Sequence, residues 1–222
     1  MPRAHVNGID IEYVAEGDPA NPPLLLVMGL GAQLTAWPEG FVELLRRRFF
    51  VVRFDNRDCG LSTKLHGAPS LEAFIAALFG GEVPPPPYRI EDMADDAAAL
   101  LAELGIDRAH VVGVSLGGMI TQALAINHAG RLLSAASIMS TTGDWSAGAP
   151  SGEAVTSLLR PAATSRDEYV AASLAASQVI GSPAYPTDEA LLRQRAATAY
   201  DRAYCPEGTA RQIAAILGSP DR

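Results

Sequence analysis

The chain has 222 residues and a formal net charge of −8, with 48% hydrophobic and 19% charged residues. This composition predicts one folded domain with a substantial core and excludes an intrinsically disordered chain. The acidic charge argues against nucleic acid or an anionic membrane as a partner, and no apolar run is long enough to span a bilayer.

The two cysteines, Cys59 and Cys205, provide neither a disulfide framework nor the spacing of a metal site. We therefore expect no metal and no cofactor. The N-terminus lacks the apolar core of a signal peptide, so the expected location is the cytoplasm.

The first part of the chain predicts a hairpin and two buried strands. Asn7-Gly8 lies between two short alternating runs, which is a hairpin signal. The continuous apolar runs 24–28 and 50–54 are typical of strands that are covered on both faces. Between them, helical spacing of apolar residues predicts a helix from about Pro38 to Arg48.

A polar, glycine-containing loop, residues 55–62, follows the second buried strand. Residues 63–87 are expected to be irregular, with one short helix at about 71–79 and a stiff surface connection at 84–87. Apolar residues at helical spacing then predict an amphipathic helix over 90–104 that ends at Gly105.

Residues 110–119 combine a buried strand, a serine between glycines and the start of a helix. Gly113-Val114-Ser115-Leu116-Gly117 has the G-x-S-x-G pattern of a nucleophile elbow, in which the serine takes a strained backbone conformation. Gly113 and Gly117 are expected because a side chain there would collide across the turn. The pattern alone describes an ordinary glycine-rich turn equally well.

A third buried strand is expected at 133–139, which gives an alternation of strands and helices. This alternation predicts an α/β fold with a mostly parallel sheet and helices on both faces. Ligands bind such sheets at the C-terminal strand ends. Three features converge there: the turn Gly29-Leu30-Gly31, the loop 55–62 and Ser115.

Beyond residue 141 the pattern predicts helices only. Ser165 and Glu168 form a capping box before a helix ending near Gly181. Two more helices are expected, one opened by Thr187 and running over about 188–204, the other over about 206–217. We interpret residues 1–142 as the core and 143–222 as a helical cap over the sheet edge.

These motifs together resemble the α/β-hydrolase fold superfamily over about residues 5–141. The loop Asp55-x-Arg57-x-x-Gly60-x-Ser62 matches the superfamily's D-x-R-G-x-G-x-S, with Asp58 in place of the first glycine. Met28 stands where an oxyanion loop usually begins with histidine. The shared V-M-G, D-x-R-D-x-G-x-S and H-V-V-G-x-S segments make the chain most similar to aclacinomycin methylesterase-like serine esterases.

The resemblance implies a role for each matching residue. Ser115 would be the nucleophile that attacks a small-molecule carboxylic ester, and the backbone N–H groups of Leu30 and Leu116 would form the oxyanion hole. Gly29, Met119 and Trp145, with the Leu30 side chain, would line the substrate pocket. For Trp145, plain packing within the cap is an equally good explanation.

The acid and the base of a serine hydrolase are not evident in these 222 residues. In this family they follow later strands in the order Ser, Asp, His. His5 and His110 lie far from Ser115 in the predicted topology, and His128 lies roughly 19 Å down the following helix. His66 is in a loop, and Asp144 follows the sixth strand of the superfamily without a histidine beside it.

We therefore expect a C-terminally incomplete hydrolase whose acid and base lie in a further segment; the alternative is a naturally incomplete protein. The missing strands would expose an apolar sheet edge, so the 222 residues alone are expected to associate or to be poorly soluble. The competing function is a non-catalytic binding module with the same fold. Hydrolases of carbon–carbon bonds and cofactor-free haloperoxidases share the elbow and are minor alternatives. Ser115 argues against a dehalogenase, because dehalogenases of this fold use a carboxylate nucleophile.

Overall fold

The computed structural model describes residues 2–67, 85–144, 151–158 and 161–222. Its centre is a six-stranded sheet in the order β1-β2-β4-β3-β5-β6. The first two strands pair antiparallel, β2 pairs antiparallel with β4, and the remaining pairs are parallel. The strands are β1 Arg3–Val6, β2 Ile9–Glu16, β3 Pro23–Val27, β4 Phe50–Phe54, β5 Ala109–Val114 and β6 Leu132–Ile138. The expected mostly parallel α/β sheet is confirmed.

The predicted hairpin joins β1 to β2. Asn7 and Gly8 have φ angles of 49° and 76°, the left-handed pair that a tight two-residue hairpin requires. Alternation then buries Ile9 and Ile11 against the core, while Asp10 between them is exposed. The predicted hairpin at Asn7-Gly8 is therefore confirmed.

Helices cover both faces of the parallel part of the sheet, as predicted. They are α1 Glu39–Arg46, α2 Ile90–Glu103, α3 Leu116–Asn127, α4 Gly152–Leu158, α5 Arg166–Ile180, α6 Glu189–Ala203 and α7 Pro206–Gly218. On β3, Leu25 and Val27 belong to the core cluster that contains α2 and α3. Leu24 and Leu26 belong to a second cluster, with Val42 of α1.

The strand β6 is present, but the prediction that it is buried is wrong. Only Leu132 is buried; the rest of the strand is exposed, including Leu133 and Ile138 at 42% and 41%. The reason is its place in the sheet: in the described part of the chain β6 pairs with β5 alone and forms one edge. An apolar run predicts a strand without telling whether a neighbour covers it.

The predicted C-terminal helices are present as α5, α6 and α7. Ser165 caps α5, with its Oγ accepting from the Glu168 N–H, as the capping box predicted. The cap of α6 is Asp188, one residue after the expected Thr187. The short α4 was not predicted, and the expected helix at 71–79 falls outside the described residues.

The last helix is tied into the main core. Ala214 and Ala215 are fully buried, and Ala215 belongs to the same cluster as α2 and α3. The Oγ of Ser219, at the end of α7, accepts from the N–H of Ile90, the first residue of α2, at 2.9 Å. In the described ranges, no helix combines the length and apolarity needed to cross a bilayer.

Candidate functional site

Ser115 is the single residue between β5 and α3, and its backbone conformation is one that residues other than glycine rarely adopt. Its φ and ψ are 57° and −120°, and its N–H donates to the Ile138 carbonyl oxygen of β6 at 2.8 Å. Such a conformation costs of order 1–3 kcal/mol for a residue other than glycine. The half-buried Oγ has no hydrogen-bond partner among the described residues. The strained turn therefore presents a hydroxyl that the described fold leaves unengaged.

The glycines around Ser115 are required by close backbone approaches. A Cβ on Gly113 would lie 2.0 Å from the Gly117 carbonyl oxygen, which is the collision across the turn that the sequence predicted. A Cβ on Gly117 would instead lie 2.1 Å from the Val27 carbonyl oxygen at the end of β3. The second glycine thus permits α3 to approach the neighbouring strand.

The turn after β3 lies beside this serine. A Cβ on Gly29 would be 3.7 Å from the Ser115 Oγ. The N–H of Leu30 and that of Leu116, the first residue of α3, have no acceptor among the described residues. A helix N-terminus also carries a partial positive charge. Two free donors near one hydroxyl are suited to stabilise an oxyanion.

The loop 55–62 is hydrogen-bonded to the chain that follows β3. The Asp55 carboxylate is fully buried and accepts from the N–H of Leu34 at 2.7 Å and that of Leu61 at 2.8 Å. The Asn56 side chain donates to the Met28 carbonyl oxygen at 2.9 Å. The three regions that were expected to converge therefore do meet at the C-terminal strand ends.

Asp58, the departure from the superfamily pattern, has a structural explanation. Its φ is 66°, so the position is one where glycine is the easiest residue and aspartate is tolerated. The carboxylate is buried and accepts two hydrogen bonds from Arg211 of α7, at 2.7 and 2.9 Å. The hydrogen bond to Asp58 raises the pKa of Arg211, so the guanidinium stays charged.

A second buried ion pair joins the same loop to α2. The Arg57 guanidinium donates twice to the Asp96 carboxylate, at 2.6 and 2.7 Å, and lies 4.9 Å from the ring centre of Tyr88. Burial is the largest single influence and opposes the charge on Arg57, but the hydrogen bond to Asp96 and the negative charges of Asp96 and Asp92 together outweigh it and raise the pKa of Arg57. Burial raises the pKa of the Tyr88 hydroxyl, which remains protonated. These groups hold the loop and are not placed to react.

A cavity of about 380 Å³ opens over the turn after β3. Leu30 and Gly31 form one wall; the other walls come from α4, α5, α7 and the chain beside them, and include Tyr169 and Tyr204. Met119 does not line this cavity; it is 9% exposed and belongs to the main core cluster. Trp145 lies outside the described residues.

Three of the four histidines are engaged away from Ser115. His5 is paired with Asp10 at 2.8 Å in the hairpin at the opposite edge of the sheet, and His128 with Asp95 at 2.6 Å at the end of α3. His110 contacts Ser134 at 2.8 Å at the N-terminal end of β5, whereas Ser115 follows its C-terminal end. His66 is exposed. No group of His, Cys, Asp and Glu side chains in the described ranges is suited to a metal ion.

The sequence reasoning missed the polar residues by which α6 and α7 hold the site. Gln33 donates to the Ala199 carbonyl oxygen at 2.7 Å, and Arg202 contacts Asp55 at 2.7 Å. Gln212 is bonded to Gly31 and Arg57. The partners are separated by 147 to 181 residues, so no local pattern indicates them; the unusual Asp58 was the one available signal of a buried cation.

The sequence of residues 22–167 matches the family described as alpha/beta hydrolase fold. Rhodomycin D methylesterase of Streptomyces peucetius is 36% identical over 136 residues, which cover 60% of this chain and 40% of that protein. A putative carbamate hydrolase of Caulobacter segnis is 35% identical over 109 residues, 49% of this chain and 34% of that protein. The matched region thus spans well under half the length of these relatives.

Among solved structures, the enol-lactonase of Burkholderia xenovorans LB400 is similar over almost the whole chain. The TM-score is 0.69 at 26% identity, and the alignment covers 99% of this chain and 74% of that one. The similarity therefore includes the C-terminal helices and extends over a larger share of this chain than the sequence matches to the curated relatives.

Proposed function

The chain belongs to the alpha/beta hydrolase fold family, and on this premise we propose that it is part of a serine hydrolase that cleaves small-molecule carboxylic esters. The observation that carries the proposal is Ser115 itself: a strained residue at a helix N-terminus, beside Gly29, with its hydroxyl unengaged by the described residues. The methylesterase, the enol-lactonase and the carbamate hydrolase named above support acyl transfer as the reaction class.

In this mechanism the Ser115 Oγ attacks the ester carbonyl carbon and loses its proton to a general base. The carbonyl oxygen becomes an oxyanion, which accepts from the N–H groups of Leu30 and Leu116. The tetrahedral intermediate expels the alcohol, and water then hydrolyses the acyl-enzyme. Since both donors are backbone groups, their side chains need not be polar.

The general base and its acid are proposed to lie in a C-terminal segment beyond these 222 residues. Two observations support this assignment. His5, His110 and His128 are engaged away from Ser115, and the structural neighbour is longer, since the alignment covers 74% of its chain.

The substrate pocket is proposed to lie above the turn after β3, where the cavity is. The Leu30 side chain lines that cavity, and Gly29 would join it to Ser115, which lies beside it. Met119 would contribute only its exposed edge, because most of that side chain is packed in the core. Residues 1–142 would then serve as the catalytic core and 143–222 as a cap.

Covalent labelling of the full-length protein with a fluorophosphonate probe tests the proposal. The wild-type protein should be labelled, and Ser115→Ala should abolish labelling and lower kcat/KM for p-nitrophenyl acetate by about 10⁴-fold or more. Ser134→Ala, an exposed position on β6, is the matched control and should keep both. A full-length wild-type protein that never labels and never hydrolyses esters would point instead to a non-catalytic binding module.

A further inference from the structure

Gln212 of α7 has a completely buried amide that joins two loops of the site. Its Oε1 accepts from the Gly31 N–H at 2.8 Å, and its Nε2 donates to the Arg57 carbonyl oxygen at 2.8 Å. A buried amide must have partners, because an unsatisfied polar group is costly to bury. Here both partners are backbone groups of loops at the C-terminal strand ends.

The bond to Gly31 acts on the peptide unit that follows Leu30. Gly31 has a φ of 62°, and the Ala32 N–H closes a tight turn onto the Gly29 carbonyl oxygen at 3.2 Å. Fixing the Leu30–Gly31 peptide restricts the rotation of the turn that also carries the Leu30 N–H. Gln212 therefore influences the orientation of the Leu30 N–H without contacting it, through its hydrogen bond to the Gly31 N–H.

The helix that carries Gln212 is itself held against the same loops. A Cβ on Gly208 would lie 2.0 Å from the Asp58 carbonyl oxygen, so α7 approaches the loop backbone closely. Thr209 packs on the turn, with its Oγ1 2.8 Å from where a Gly31 Cβ would be. The neighbouring Arg211 is fixed by its two hydrogen bonds to Asp58. These contacts fix the position of α7, and with it the position of Gln212, relative to the two loops.

We propose that Gln212 is a positioning residue for acyl transfer: it holds the turn 29–32 so that the Leu30 N–H meets the oxyanion. This inference rests on the proposed function, since it assigns a role within the same reaction. It also places a determinant of the oxyanion hole on a helix that is 181 residues from Gly31 in the sequence.

The test compares three variants of the full-length protein. Gln212→Met keeps the length of the side chain and removes both hydrogen bonds. Gln212→Glu keeps an acceptor oxygen for the Gly31 N–H. Ser219→Ala is the matched control, because it also removes two hydrogen bonds, to Ile90 and Ala215, at the other end of the same helix.

Steady-state hydrolysis of p-nitrophenyl acetate separates positioning from general loosening. We expect Gln212→Met to lower kcat by about 10- to 100-fold while KM stays within about twofold, since the loss falls on the transition state. Gln212→Glu should recover a large part of that kcat. Ser219→Ala should keep the wild-type kcat, even where its Tm falls as far as that of Gln212→Met.

Amide hydrogen exchange gives a readout that does not depend on activity. The peptide containing residues 29–33 should exchange faster in Gln212→Met than in the wild type, and at the wild-type rate in Ser219→Ala. This measurement also serves if Gln212→Met is produced in a small amount only, because it needs little folded protein.

The outcomes separate this inference from the proposed function. An active wild type together with unchanged kcat in Gln212→Met, or equal losses in Gln212→Met and Ser219→Ala, overturns the positioning role and leaves the hydrolase proposal standing. Unchanged exchange of the 29–33 peptide overturns it too. A wild type that neither hydrolyses esters nor labels at Ser115 overturns both.

Discussion

At the scale of single residues, the site depends on backbone positions that tolerate no ordinary side chain. Gly60 is the clearest case after the serine turn, because its φ is 53° and a Cβ there would lie 2.0 Å from the Asp55 Oδ2. That carboxylate holds the N–H groups of Leu34 and Leu61 and contacts Arg202. Because Gly60 has no Cβ, the buried Asp55 carboxylate can keep its contacts with Leu34, Leu61 and Arg202.

Gly60→Ala should therefore be strongly destabilising. The left-handed backbone alone costs an alanine about 1–2 kcal/mol, and displacement of the buried Asp55 adds overpacking of about 1–3 kcal/mol. Gly8→Ala is the matched control, since Gly8 has a φ of 76° with nothing within 4 Å of its Cβ position. Urea unfolding should give a clearly larger loss for Gly60→Ala; equal losses would show that the Asp55 contact contributes little.

At the scale of elements, the described structure is a mostly parallel sheet whose last helix, α7, is attached through a buried ion pair and a buried amide. The ion pair joins Asp58 of the loop 55–62 to Arg211 of α7. Asp58 occupies a left-handed position where the superfamily has glycine, and Arg211 is 3% exposed. The two residues thus form a unit: the aspartate is accommodated by the turn, and the arginine neutralises it.

A double-mutant cycle on this pair should be strongly non-additive. Arg211→Met leaves a buried carboxylate and should cost about 3–5 kcal/mol, and Asp58→Gly leaves a buried guanidinium at a similar cost. The double variant removes both charges and gives the turn its easiest residue, so its loss should be smaller than the sum by at least about 2 kcal/mol. Urea unfolding of all four proteins measures the coupling, and additive losses would contradict a paired role.

Local patterns predicted these elements well where local physics decides them. The Asn7-Gly8 turn, the apolar runs of β3 and β4 and the Ser165 cap each depend on neighbours within a few residues, and each was found as expected. Gly113 of the serine turn belongs to this class also, because its Cβ would collide with Gly117 across the turn. Gly117 was expected for the same local reason, but it is required by its approach to Val27 of β3, which is distant in sequence. The convergence of the three strand-end features followed from parallel pairing alone.

What failed was whatever depends on contacts distant in sequence. The apolar run alone predicted that β6 is buried, whereas it is exposed at the sheet edge, as the expected incomplete sheet implied. Arg211 and Gln212 lie in an alanine-rich helix whose sequence does not reveal that its polar residues are the buried ones. Their partners, Asp58 and Gly31, are more than 150 residues away.

At the scale of the whole molecule, we expect the exposed β6 edge to determine whether the chain associates in solution. Leu133, Ile138 and Met139 are 42%, 41% and 75% exposed, and β6 pairs on one side only in the described part of the chain. An open strand edge with apolar side chains is a template for pairing with another strand. We expect the 222-residue chain, expressed by itself, to associate through this edge.

Sedimentation velocity over a range of concentrations tests this expectation with a single substitution. A lysine on an edge strand disfavours pairing of two edges, so Ala136→Lys, at an exposed position of β6, should shift the chain towards monomer. Ser182→Lys, an exposed position between α5 and α6, adds the same charge elsewhere and should leave association unchanged. If both lysines reduce association equally, net charge and not the β6 edge controls it. If the unsubstituted chain is monomeric at every concentration, association through β6 is contradicted.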